Sequence, residues 1–203
     1  MARLYFVRHG LTKNNTLHRF NGSHANASLL PEGRIQATRL GEVLAETPFT
    51  GVYTSPQLRA LETAEEIIKV NANWQGEIIQ DSLLKEIDFG EWDGELLEDK
   101  RNHPQLKNLQ YYPEKYDPSE FHGESYLALI DRGKQFLTCL AYGKEENHLI
   151  VAHGVLLTTL GQILQQKEIS RIREDGLLAN ASLTSFETDG ENFELLAWNQ
   201  VYS

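Results

Sequence analysis

The chain has 203 residues, 40% hydrophobic and 24% charged, with a formal net charge of −10. That length suits one domain with a sizeable core, and the negative balance excludes a nucleic-acid or anionic-membrane surface as the main partner. A single cysteine, Cys139, excludes an internal disulfide; with no apolar run of membrane-spanning length and strand-like sequence already at Arg3, a cytoplasmic protein without a leader is expected.

Leu4-Tyr5-Phe6-Val7 predicts a buried strand running into Arg8-His9-Gly10, which puts a cation, an imidazole and a flexible turn at its C-terminal end. In open α/β sheets that edge is where ligands bind. Pro31 opens a helix reaching about Glu46, with Ala37, Leu40, Gly41, Leu44 and Ala45 as its apolar stripe. Gly51 to Ser55 reads as a short strand and Ser55-Pro56 as the cap and first turn of the next helix. Ala60 or Leu61, Ala64, Ile67 and Ile68 would form the buried face of that helix. Glu77 to Gln80 predicts a third strand, and the alternation points to a mainly parallel sheet with helices on both faces.

Residues 95–122 break this rhythm: they are polar and aromatic, contain Pro104, Pro113 and Pro118, and have no clean period. They are expected to form an insertion over the sheet edge, a lid or pocket wall. Helicity resumes at Ser125 with Tyr126, Leu129, Ile130, Gly133, Leu137 and Leu140 in one stripe, and Cys139 reads there as buried filler. Leu149 to Ala152 is a second strand ending in His-Gly, followed by a helix to about Gln166. The tail, 182–187 and 193–198 around Asp189-Gly190, predicts an antiparallel pair at the sheet edge. The expected fold is therefore α/β: a three-layer αβα sandwich with a mainly parallel sheet, an antiparallel edge and a small insertion over the site. One domain is expected over 1–203, with 95–122 as the lid.

Two strands that each end in His-Gly can bring His9 and His153 to one sheet edge. Imidazole serves as nucleophile, general base or metal ligand. His148, His153 and the lone cysteine match no metal-ligand spacing, so no metal is expected. Arginine is the better companion: Arg8 adjoins His9, and Arg59 falls in the first turn of a helix that begins at a strand end. A guanidinium and a helix N-terminus both favour a tetrahedral oxyanion. The stretch from Leu84 to Gly94 sets Glu86, Asp88, Glu91 and Asp93 among aromatics and glycines, where a carboxyl can keep a proton and act as a general acid. His18, His24, His103 and His122 read as surface or lid residues, with His24 and His122 as candidates for the pocket edge.

Arg8-His9-Gly10 with Asn15, Ser55 through Arg59-Ala60 with Thr63-Ala64, Glu86 with Phe89-Gly90, Trp92 and Gly94, Gly123-Glu124-Ser125, and His153-Gly154 occur in one order. This set resembles the histidine phosphatase superfamily, the phosphoglycerate-mutase-like group, and Asn180-Ala181-Ser182 with Trp198-Asn199 resembles its closing segment. The resemblance implies that His9 is the nucleophile, forming a phosphohistidine, with its other ring nitrogen fixed by a carbonyl near Gly10. Arg8, Arg59 and His153 would hold the non-bridging oxygens, and Glu86 would serve as acid, then base. Asn15 and the backbone amides after His153, at Gly154 and Val155, would complete the pocket, with Asn21 and Gly22 in a substrate-contacting loop.

The function expected is metal-independent hydrolysis of a small phosphorylated metabolite, without a cofactor. The alternatives are a mutase primed by 2,3-bisphosphoglycerate and a non-catalytic phospho-ligand binder. Mutases of this family carry extra basic residues after the acid glutamate; Lys100-Arg101 here lie among Glu98 and Asp99, which favours the phosphatase. The oligomeric state is left open, a strand-edge homodimer included.

Overall fold

The structure is a computed structural model and describes residues 1–202. Six strands form one sheet: β1 (Ala2–Arg8), β2 (Gly51–Thr54), β3 (Ile78–Gln80), β4 (Asn147–Ala152), β5 (Leu183–Thr188) and β6 (Phe193–Gln200). Their order is β3-β2-β4-β1-β5-β6, with the first four parallel, β5 antiparallel to β1, and β6 antiparallel to β5. The helices are α1 (Lys13–Thr16), α2 (Pro31–Val43), α3 (Leu58–Ile68), α4 (Pro104–Tyr111), α5 (Tyr126–Thr138) and α6 (Gly154–Leu164).

The central strands are apolar on both sides, as strands covered on both faces must be. Val7, Leu149 and Val151 pack with Leu40, Ala60, Ala64 and Ile67 of α2 and α3. Leu4, Phe6, Ile150 and Ala152 pack on the other side with residues of α5 and α6. The alternation along β1 and β4 is the period of two that sends successive side chains to opposite faces. α6 is apolar nearly all round and buries Val155, Leu156, Leu157 and Leu160. No helix among the described residues is long and apolar enough to cross a membrane.

Four local expectations are corrected. α3 begins at Leu58 with Gln57 as N-cap, so Ser55-Pro56 precedes the helix; Ser55 Oγ accepts from the Gln57 amide and makes a turn there. The segment 95–122 is not aperiodic: α4 follows Pro104 at its first position, with His103 Nδ1 accepting from the Gln105 amide. Leu106 and Leu109, three residues apart, are buried beneath it. Cys139 is exposed, because α5 ends at Thr138 and the cysteine caps it on the outer side. The last two strands run further than expected, to Thr188 and Gln200.

The parallel register of β1 and β4 pairs Arg8 with Ala152. The next residue on each strand is a histidine.

Candidate active site

His9 and His153 leave adjacent strands at the same level, so their rings meet with centroids 5.3 Å apart and planes inclined at 60°. The His9 amide donates to Ala152 O at 2.9 Å, which ties the two turns together. His9 Nδ1 lies 2.7 Å from Gly10 O. A carbonyl only accepts, so Nδ1 carries the proton and Nε2 carries the lone pair. Burial, reinforced by Arg59 and Arg8, holds the His9 pKa well below its ordinary 6.5. His153 is lowered in the same direction, by burial first and then by Arg59 and His9. Both rings are therefore neutral near pH 7.

Arg59 stands in the first turn of α3 and is fully buried. Its Nη1 donates to Ala25 O at 2.6 Å, and Nη2 donates to Asn21 O at 2.9 Å and Gly22 O at 3.2 Å. Burial lowers its pKa to about 10, which leaves it charged. Arg8 donates through Nη1 to Leu178 O. Arg8 Nε, Arg59 Nε and both ring nitrogens of His153 are buried and find no partner among the described residues. Buried donors are normally satisfied, so such a cluster marks a place shaped for an acceptor-rich ligand.

Glu86 reaches the same edge from the loop after β3. Its carboxylate accepts from the amides of Val155 at 2.9 Å, Leu156 at 3.0 Å and Ile87 at 2.9 Å. Of the two amides expected to complete a phosphate pocket after His153, those of Gly154 and Val155, the second is thus occupied by this carboxylate, which also takes the amide of Leu156. The positive end of α6 attracts it. Gly154 lines the cavity beside Arg8, whose Nε is 3.1 Å from where a Cβ on Gly154 would sit.

The remaining expected residues divide. Asn15 lines the cavity, and its Oδ1 is taken by Thr12, which leaves the side-chain NH2 for a ligand. Asn21 also lines it, but its amide accepts from Asn14 and donates to Thr12, so it braces the loop. Gly22 does not line the cavity: its amide donates to Asp93 at 2.7 Å and its carbonyl accepts from Gln57 and Arg59. His24 and His122 are exposed and point away, against Asp88 and Glu91 respectively.

Several supporting residues were given no individual role from the sequence. Gln57 is buried and joins three loops: it accepts from the Glu86 amide at 3.0 Å and donates to Gly22 O and Ala25 O, each at 2.8 Å. Thr63 accepts from the Gly10 amide and donates to Arg59 O, so one hydroxyl joins the His9-Gly10 turn to the arginine helix. Asn180 Nδ2 donates to His9 O at 3.0 Å. Of these, Thr63 and Asn180 stood inside the quoted motifs, whereas Gln57 fell at an unspecified position between Ser55 and Arg59.

The cavity around these groups has a volume of about 130 Å³. Its charged lining is Arg8, Arg19, Arg173 and Glu86; Phe20, Phe89, Leu97, Leu106, Leu109 and Leu177 supply apolar walls. Three of those leucines come from the 95–122 insertion, which is thus a pocket wall. Among the described residues no three His, Cys, Asp or Glu side chains gather as a metal site.

The chain is 30% identical to a Hydrogenobacter thermophilus protein provisionally named phosphoserine phosphatase 2, over 99% of this chain and 97% of that one. Bacillus stearothermophilus YhfR superposes with a TM-score of 0.89 at 30% identity, covering 99% and 98% of the two chains. A phosphoglycerate mutase from Bacillus anthracis superposes at 0.80 with 26% identity, over 98% and 93%. The family model described as histidine phosphatase superfamily (branch 1) matches residues 4–201, and the chain belongs to that superfamily.

Proposed function

We propose that the protein hydrolyses a small phosphate monoester through a phosphohistidine on His9, without a metal. The observation that carries this reading is the neutral His9 with its Nε2 lone pair, beside buried and unpartnered donors on Arg8, Arg59 and His153. His9 Nε2 attacks phosphorus while the ester P–O bond breaks; its electron pair goes to the leaving oxygen, which takes a proton from Glu86. Water then attacks the phosphohistidine and gives a proton to Glu86, the P–N pair returns to Nε2, and inorganic phosphate departs. The two guanidiniums and His153 bear the charge on the non-bridging oxygens throughout, which is most of what phosphoryl transfer asks of a protein.

A mutase reading is less well supported. The basic residues of the insertion are committed elsewhere: Lys100 to Glu95, Arg101 to Glu98, and Lys107 and Lys115 lie over the Tyr112 ring. None of them lines the cavity.

Phosphate release from a panel of monoesters in chelator, with His9→Ala as control, tests the proposal. Release is expected to survive chelator, and His9→Ala is expected to lose about ten-thousand-fold or more of kcat/KM. Acid-labile, base-stable phosphate should be trapped on wild type and be absent from the variant. Glu86→Gln should slow alkyl phosphates by about 10²–10⁴-fold and nitrophenyl phosphate far less, since nitrophenolate departs without a proton. Transfer from 2,3-bisphosphoglycerate with little release would favour the mutase, and folded protein with neither activity would favour the binder.

A further inference from the structure

Gln57 is buried and does not line the cavity, yet its side-chain carbonyl and both of its amide hydrogens are engaged. It is the N-cap of α3, two residues before Arg59. Its Oε1 accepts from the Glu86 amide at 3.0 Å, and its Nε2 donates to Gly22 O and Ala25 O, each at 2.8 Å. An N–H on one side and two carbonyls on the other fix which way this amide points. Reversed, it would set donor against donor and oxygen against oxygen. Arg59 grips the same two carbonyls, Ala25 O at 2.6 Å through Nη1 and Gly22 O at 3.2 Å through Nη2. The segment that carries Glu86 holds this shared loop as well. The Asp93 carboxylate accepts from the amides of Gly22 and His24, each at 2.7 Å, and Ile87 O accepts from the Ser23 amide at 3.2 Å.

Glu86 is therefore held at both ends, its carboxylate by the Val155 and Leu156 amides and its own amide by Gln57. Loss of the Gln57 amide would leave the buried Glu86 N–H without this acceptor and loosen the two carbonyls on which Arg59 rests. In the reaction, Arg59 holds the phosphoryl group while the P–O electron pair goes to the leaving oxygen and Glu86 gives that oxygen a proton. The separation of Arg59 and Glu86 decides whether the acid reaches it. Proton transfer needs a heavy-atom approach of about 2.6–3.2 Å, so a shift of about 1 Å is enough to lose it.

We propose that Gln57 is a positioning residue for proton transfer: it fixes the acid Glu86 relative to the phosphoryl-binding Arg59, and so sets how steeply the rate depends on the leaving group. This rests on the phosphatase reading of the His9 site. Only a side chain of this length that accepts at one atom and donates at another spans the two sides.

The test compares phenyl phosphate with nitrophenyl phosphate, leaving groups of similar shape, of which phenolate is the stronger base and gains far more from a proton. Their kcat/KM ratio is taken on one sample, so the folded fraction cancels. Gln57→Met, which keeps the volume and loses both polar functions, is expected to lower the phenyl-to-nitrophenyl ratio by about tenfold or more, chiefly through kcat. Gln57→Asn, polar but too short to span both sides, should shift it in the same direction and serves if the methionine variant does not fold. Gln57→Glu keeps an oxygen toward the Glu86 amide and loses the donors, so it should slow both esters together and hold the ratio nearer wild type. In Glu86→Gln, where the acid is already gone, adding Gln57→Met should leave the ratio unchanged. A ratio unchanged in Gln57→Met and Gln57→Asn, with both esters hydrolysed, overturns the inference and leaves the phosphatase reading intact. A further fall in the double variant as large as in Gln57→Met alone overturns it too, since the effect would not pass through Glu86. Wild type inactive on both esters removes the phosphatase reading and the inference with it.

Discussion

His9 keeps its lone pair through two separate effects: a carbonyl holds the Nδ1 proton, and burial with two guanidiniums opposes a second proton. In histidine-labelled protein, NMR should show the His9 and His153 rings neutral at pH values where a free imidazole is half protonated, about 6.5. The same depression makes stability depend on pH. In the unfolded chain both rings take a proton near 6.5, whereas in the folded chain they do so only well below it. Between those values the unfolded state binds more protons, so the contribution is complete above about 6.5 and is lost as pH falls from there toward the folded values. Denaturant midpoints should drop from pH about 8 to pH about 5.5, and His153→Gln should flatten that slope. An unchanged slope would mean that His153 is not held neutral by the fold.

Among the elements, α2 and the turn after β1 approach too closely for any side chain. A Cβ on Gly33 would stand 2.4 Å from Leu11 O, and one on Gly10 would stand 2.4 Å from Gly33 O. Backbone is on both sides, so neither clash can be relieved by a rotamer. Gly33→Ala is expected to destabilise the protein by about 1–3 kcal/mol. It should also lower kcat, because the displaced strand is the one that presents His9; calorimetry and steady-state kinetics report the two effects. The insertion is built differently, around the stacked rings of Trp92 and Phe121, 3.9 Å apart, with Tyr116 and His103 at their edges. Two of its three pocket leucines, Leu106 and Leu109, come from a short helix started by Pro104, whose period is masked in the sequence by the polar residues around it.

Across the whole molecule, the chain returns to its first strand to finish the site. Asn180 and His9 are 171 positions apart, yet the Asn180 amide holds His9 O at 3.0 Å and Gly10 O at 3.3 Å. Gly10 O is the same carbonyl that fixes the His9 tautomer. Ala181, at φ 51° in the left-handed region, turns its amide onto Arg8 O and His9 O. Asn180→Ala should therefore lower kcat by about 10–100-fold with a smaller change in KM, since it loosens the proposed nucleophile, His9, rather than the proposed anion-binding groups. A rise in KM alone would place Asn180 in ligand binding instead.

What the sequence by itself determined is whatever depends on near neighbours in the chain. The runs around Leu4–Val7 and Leu149–Ala152 could only be strands buried on both faces. The stripe from Tyr126 to Leu137 could only be one side of a helix. Two His-Gly turns at strand ends, with Arg59 at a helix start, were readable for the same reason: period and turn chemistry act over a few residues. The tertiary structure decided the rest. Register brought His9 against His153, Glu86 settled on the amides of α6, and Gln57 was drawn into bracing three loops. Arg173 came to line the cavity, and Cys139 turned outward where α5 stopped. These outcomes depend on contacts between segments far apart in the chain, made by single hydrogen bonds and charges, and such contacts leave no periodic trace in the residues that form them.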